Sequence, residues 1–275
     1  MSGILLAHLS DTHLRAGGDD DISGHRLNSA FGRLARLEAP VDAVVVTGDL
    51  THDGAPEQYR QFQRSLDQAE SPVLLVKGNH DQEEEIRRLA RHPKVFGPGE
   101  DQKEFFQYVA DVGGLRVVVC DTTVRGEHWG MLCDTRLAWL RAVLADDPQH
   151  PTVVAMHHPP LTVGIPYLDE IGLLNRDEVA RIIACAPNVL AVLSGHIHRV
   201  VFGRIGAAQV VTAPSTYRAC AFKLSSGFGA YTKEAPGIAV HAVSLGADAS
   251  IVSHLLALEE GDRTEWTRSA APRSS

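Results

Sequence analysis

Short apolar runs, at 4–8, 43–47, 73–76, 117–120, 152–156 and 189–193, recur along the chain, and each closes on a cluster of polar residues. Runs without polar alternation suit strands buried on both faces, because a strand with one wet face would alternate. Between several of them the apolar positions change to helical spacing, at 28–37, 57–68, 82–90, 135–144 and 176–184, with Ala, Leu, Arg and Glu enriched. Strand alternating with helix predicts an α/β layered fold. Beyond His198 the texture turns β-rich, with runs at 200–205, 209–212, 238–243 and 251–258 between glycine-containing turns. These are predicted to be antiparallel strands completing a second sheet. Phe105 and Phe106 are predicted to begin a core strand.

Two stretches carry no period. Residues 162–175, with Gly164, Pro166 and Gly172, are long for a loop and are expected to form an insertion near a functional site. Residues 259–275 are polar and are expected to be a frayed tail, which leaves 1–258 as one domain. With 275 residues, 44% hydrophobic and 22% charged, one large core is affordable. The net charge of -8 argues against a protein that clamps long nucleic acid, although small anions stay accessible if bound cations reverse the local field. Cys120, Cys133, Cys185 and Cys220 show no C-x-x-C pairing and are expected to be reduced thiols, mostly core filler. Residues 1–9 do not resemble a signal peptide, and no apolar run approaches the roughly 20 residues that span a bilayer. A cytoplasmic location without membrane contact is the expectation; a homo-oligomer is left open.

The polar clusters share one chemistry. Asp11-Thr12-His13 follows the first run, Gly48-Asp49 the second, Gly78-Asn79-His80-Asp81 the third, His157-His158 the fifth and Gly195-His196-Ile197-His198 the sixth. Strand ends in an α/β sheet converge on one crevice, so these groups are expected to meet. In extended backbone, Asp11 and His13 would point the same way, as would His196 and His198. Imidazole with carboxylate and no thiolate suits borderline divalent ions rather than a structural zinc. Two ions sharing a bridging carboxylate would use all these donors, and Asp49 is the natural bridge. Any one of them alone reads as an ordinary turn, cap or core residue; their joint placement at five strand ends carries the inference. Asp19-Asp20-Asp21 reads as a solvated loop, and Glu83-Glu84-Glu85 as the acidic start of a helix. His8, His25, His92 and His241 fit no pattern, and Trp129, Trp139 and Trp266 read as packing or surface residues.

In order, these blocks give D-x-H, G-D, G-N-H-D, a later H, and G-H-x-H, and so the chain resembles the calcineurin-like metallophosphoesterases. Met156-His157-His158-Pro159-Pro160 and Gly48-Asp49-Leu50-Thr51 are similar to the branch holding class III cyclic-nucleotide phosphodiesterases and bacterial glycerophosphodiesterases. The resemblance spans Asp11 to His198 and fades beyond Thr216. It implies a four-layer α/β/β/α sandwich of two mixed sheets. It also implies two divalent or mixed-valence transition-metal ions, manganese, iron, zinc or cobalt, one held by Asp11, His13, Asp49 and His198. The other would be held by Asp49, Asn79, His157 and His196. The implied activity is hydrolysis of a small phosphodiester, and a pair of such ions would supply the hydroxide; His80, adjacent to Asn79, is the candidate for stabilising charge or protonating the leaving oxygen, and Asp53, shortly after Asp49, is expected to orient it. Asp49 and Asn79 count with His80 as the catalytic set. A phosphomonoesterase, a nuclease or a non-catalytic metal-binding scaffold are the rival readings.

Overall fold

The computed structural model describes residues 3–15, 22–99, 102–225, 227–246 and 248–259. Parallel strands β1 (Gly3–Leu9), β2 (Ala43–Val46), β3 (Val73–Leu75) and β4 (Val95–Phe96) are connected through helices α1 (Ile22–Ala35), α2 (Pro56–Asp67) and α3 (Glu83–Leu89). Pro56 opens α2 at its first turn, where a missing amide hydrogen costs nothing. A second sheet is built from β5 (Tyr108–Val112), β6 (Leu115–Cys120), β7 (Thr152–Met156), β8 (Val189–Ser194), β9 (Val201–Ile205) and β10 (Ala208–Thr212). Its helices are α4 (Asp134–Asp146), α5 (Pro166–Glu170) and α6 (Arg176–Ala184). A small ribbon of β11 (Ala219–Cys220) and β12 (Tyr231–Thr232) follows, and β13 (Gly237–Ser244) with β14 (Ser250–Ala257) ends the described chain.

The strand orders are β14-β13-β1-β2-β3-β4 and β5-β6-β7-β8-β10-β9, both mixed. Alternation along β6 shows how the sheets stack. Val117 and Val119 enter the core shared with α1, α2 and the first sheet, whereas Val118 and Cys120 pack with Leu137 and Leu140 of α4 and Val179 of α6. Since successive side chains leave a strand on opposite faces, this gives helices, sheet, sheet, helices: the predicted α/β/β/α layering.

Four expectations need correction. The late strands do not complete one sheet: β10 pairs parallel with β8 and antiparallel with β9, whereas β13 pairs antiparallel with β1 in the first sheet. β1 would otherwise be an open edge, and β13 closes it with a nearly continuous buried run. Phe105 and Phe106 precede the strand that begins at Tyr108, and the Phe106 amide donates to the Asp121 carboxylate instead of to a ladder. Residues 162–175 contain α5, whose Leu168 packs with Ile165 and Ile197. Of the four free thiols only Cys120 is buried, and Cys185 is exposed, so the cysteines are not mostly core filler. The Asp19-Asp20-Asp21 loop, Trp266 and all of the tail beyond Glu259 lie outside the described residues. Among the described residues no helix is long and apolar enough to cross a membrane.

Candidate metal centre

The ends of β1, β2 and β3 in one sheet and of β7 and β8 in the other bring all seven predicted donors together. Asp11, His13, Asp49 and His198 place one ligand atom each within 4.8 Å of one another, a grouping able to hold a cation. Asp49 stands between the two halves: its Oδ2 is 3.4 Å from His13 Nε2 and 3.5 Å from His157 Nε2. On the second side, His157 Nε2 lies 3.0 Å from Asn79 Oδ1 and 3.3 Å from His196 Nδ1. Six of the seven donors are buried, and Asn79 is half-buried.

The extended-backbone reasoning for Asp11 with His13, and for His196 with His198, does not hold. Asp11, His13, Asp49, His196 and His198 all have left-handed backbone, φ between 41° and 68°, and among the described residues they are all the non-glycine residues that do. Asp and His tolerate this region better than most side chains, yet each such residue carries about 1 kcal/mol of strain. The chain turns at each strand end and drops the side chain into the pocket, a job that alternation along a strand could not do. Close approach of the loops makes the same demand on the glycines. A Cβ on Gly78 would sit 2.2 Å from Asp49 N, and one on Gly195 2.0 Å from Ser10 Oγ.

Hydrogen bonds at the outer nitrogens fix which ring atom faces inward. His157 Nδ1 donates to Thr47 O at 2.7 Å, His196 Nε2 to Ile171 O at 2.9 Å and His198 Nδ1 to Arg218 O at 2.9 Å. A carbonyl accepts only from N–H, so in each neutral ring the lone pair is left on the inner nitrogen. Inner acceptors therefore confront one another, as at His157 Nε2 and His196 Nδ1, 3.3 Å apart. Lone pairs packed face to face need a proton or a cation between them. Burial opposes charge on His157, but Asp49 overrides it and pushes the imidazole up to about 9. The same pair acts on Asp49, where burial favours the neutral acid but His157 prevails and holds the carboxyl well below its usual range. Burial, followed by its imidazole neighbours, keeps His196 well below the normal histidine value.

Several functional neighbours were not assigned from the sequence. Asp81 is buried and accepts from Leu50 N at 3.1 Å and Gly78 N at 2.9 Å, tying the two loops that carry Asp49 and Asn79. Burial, then the Asp49 charge, raises it to about 6. His158 is buried between Thr122 Oγ1 and His128 O, so the second histidine of its dipeptide braces the 122–130 loop. His80 donates its backbone N–H to Asp49 Oδ1 at 2.9 Å, and its Nδ1 lies 2.7 Å from His52 O. It is therefore oriented by a carbonyl. Asp53, expected in that role, instead accepts from Gln58. His8 and His241 form a buried pair, with His8 Nε2 on Thr47 Oγ1 at 2.9 Å and Thr47 Oγ1 on Ser10 Oγ at 2.8 Å. A polar chain thus runs from the sheet core to the residue beside Asp11. Only the G-N-H-D quartet hinted at Asp81; isolated histidines in strands gave no signal for His8 and His241.

The sequence profile of the calcineurin-like phosphoesterases matches residues 4–200, most of the chain and every donor. The chain belongs to this family. This calcineurin-like phosphoesterase is 33% identical over 222 residues to glycerophosphodiester phosphodiesterase GpdQ of Enterobacter lignolyticus, covering 78% of this chain and 77% of that one. It is 30% identical over 219 residues to the 3',5'-cyclic adenosine monophosphate phosphodiesterase CpdA of Pseudomonas aeruginosa, with 78% and 77% covered. A solved dimetal phosphatase from Danio rerio has the same fold, with a TM-score of 0.62 at 17% identity over 91% of this chain and 98% of that one. The phosphoesterase is thus a hydrolase with a centre suited to two cations.

Proposed function

We propose that this chain is a two-cation phosphodiesterase of small phosphodiesters, as its glycerophosphodiesterase and cyclic-nucleotide phosphodiesterase relatives are. The observation that carries the reading is the set of ring nitrogens of His157, His196 and His198 turned inward by backbone carbonyls and gathered on either side of Asp49. Asp11, His13, Asp49 and His198 would hold one ion, and Asp49, Asn79, His157 and His196 the other. Manganese, iron, zinc and cobalt suit this nitrogen and oxygen set. Such ions supply charge neutralisation on a phosphoryl oxygen and a bound water acidified towards pKa about 7.

The chain's own residues do the rest. His157 keeps Asp49 ionised and the His80 amide orients it, so the bridging position is preorganised. Asn79 turns its Oδ1 towards His157 while its amide nitrogen lies 3.3 Å from His128 Nδ1. With Nδ1 donating to the His52 carbonyl, His80 can pass a proton from Nε2 to the departing ester oxygen when the ring is the imidazolium, and it is left as the neutral Nδ1–H form. The absence of C-x-x-C pairing and the free thiols suit a reducing compartment such as the cytoplasm.

Metal analysis joined to a hydrolysis panel tests the reading. Purified protein loaded with manganese, cobalt, zinc or iron should bind two ions per chain. It should cleave a cyclic nucleotide, glycerophosphocholine or an aryl diester faster than an aryl monoester and faster than single-stranded DNA. Faster monoester turnover would replace the diesterase reading with a phosphatase, and two bound ions with no turnover of any ester would leave a scaffold.

A further inference from the structure

One flank of the donor set is aromatic and partly wet. Tyr231 lies 5.8 Å, centroid to centroid, from the His198 ring, yet is 51% exposed, whereas His198 itself is 5% exposed. A large ring at the rim of a buried polar centre leaves apolar surface in water that a ligand could cover. The backbone that carries the ring is held in place. Tyr231 pairs with Cys220 across the ribbon, Ala221 N donates to Ala230 O at 2.7 Å, and the His198 Nδ1 bond ends on Arg218 at the ribbon's base. Burial, followed by Cys220, Asp11 and Tyr217, raises the Tyr231 hydroxyl above its usual value, while Arg15 works the other way. Arg15 stands on the same flank, its guanidinium 5.7 Å from the centroid of Tyr217 and its NH2 2.7 Å from His52 Nε2.

An exposed aromatic ring with a cation beside it, at the rim of the candidate metal centre, matches one type of ester arm. A glycerol arm would leave the ring wet, and a choline ammonium, which could sit on the same face, is opposed by the positive charge of Arg15; a flat heterocycle stacks on the ring, and such stacking changes affinity by roughly 5- to 150-fold per base. We propose that Tyr231 is a specificity-determining residue, its exposed face forming a subsite for the planar heterocycle of a nucleotide-type diester, with Arg15 supplying positive potential beside it. The inference rests on the phosphodiesterase reading for its substrate, but its binding test does not need turnover.

Calorimetry of the metal-loaded enzyme with adenosine 5'-monophosphate and with glycerol 3-phosphate measures the subsite directly. Wild type should bind the nucleotide more tightly, Tyr231→Ala should lose about 10-fold for the nucleotide with glycerol 3-phosphate unchanged, and Tyr231→Phe should retain nucleotide binding. The same ratio should appear in kcat/KM for 3',5'-cyclic AMP against glycerophosphoglycerol, whose arms carry neither a ring nor a cation, and it should be carried by KM. Equal losses for both ligands, or a loss in Tyr231→Phe matching that in Tyr231→Ala, would overturn the subsite. If nucleotide selectivity appears and depends on the ring while no diester is cleaved, the subsite stands and the reaction assignment falls.

Discussion

Acid should weaken this protein through His241, and the size of the effect can be worked out. His241 is buried in β13, its Nε2 3.3 Å from His8 Nδ1 and its Nδ1 2.8 Å from Ser253 Oγ. Burial, then the nearby His254, lowers its pKa from 6.5 to about 4. As pH falls, the unfolded chain takes up this proton first, so stability is full above about 6.5 and drains away down to about 4. A gap of about 2.5 units at about 1.4 kcal/mol per unit gives about 3 kcal/mol. His241→Gln keeps a donor and an acceptor for His8 and Ser253 but does not titrate. Urea unfolding from pH 7.5 to 4 should show wild type losing about 3 kcal/mol more than the variant. His8, held low by burial and then by His241, remains in both proteins and contributes a loss to both curves, the smaller one in the variant because the His241 charge is gone. Parallel stability profiles for wild type and His241→Gln would refute the reasoning.

Three further outcomes follow from the site. Gly78→Ala drives a Cβ to 2.2 Å from the Asp49 backbone nitrogen, so the loops must part; metal titration should show at least one of the two ions weakened about 10-fold or more, and unchanged stoichiometry and affinity would contradict it. Asp81→Ala strands the buried amides of Leu50 and Gly78 and should cost about 3 kcal/mol in urea unfolding; a loss below about 0.5 kcal/mol would mean those amides find other partners. His80→Ala should slow diesters with poor alkoxide leaving groups by about 100-fold or more while sparing activated aryl diesters, and equal losses would remove His80 from proton transfer.

How much of this was legible in the sequence depends on range. The donors were readable because each sits just past a short apolar run, where strand ends meet, and because Asp, Asn and His recur there and nowhere else in that order. What brought them together was not readable: alternation predicted that Asp11 and His13 share a side, but the structure uses left-handed turns, which depend on what the neighbouring loop demands. The destination of β13 was equally hidden, since pairing with β1 spans most of the chain and local pattern specifies a strand without naming its partner. His8 and His241 each look like a stray polar residue in a strand; only the pairing of β1 with β13 makes them a couple.

The left-handed turns at Asp11, His13, Asp49, His196 and His198 set the centre's bias toward its work at the expense of the fold. Each turn would relax if its residue were replaced by glycine or asparagine, a gain of about 1 kcal/mol, but Asp11 accepts from the His196 amide and Asp49 from the His80 amide, so at those two positions the lost hydrogen bonds offset it. On the proposed reading, a duplicated copy released from selection for activity would be free to drift at these five positions, and a related chain that keeps Asp and His there despite the strain would be one still selected to hold ions.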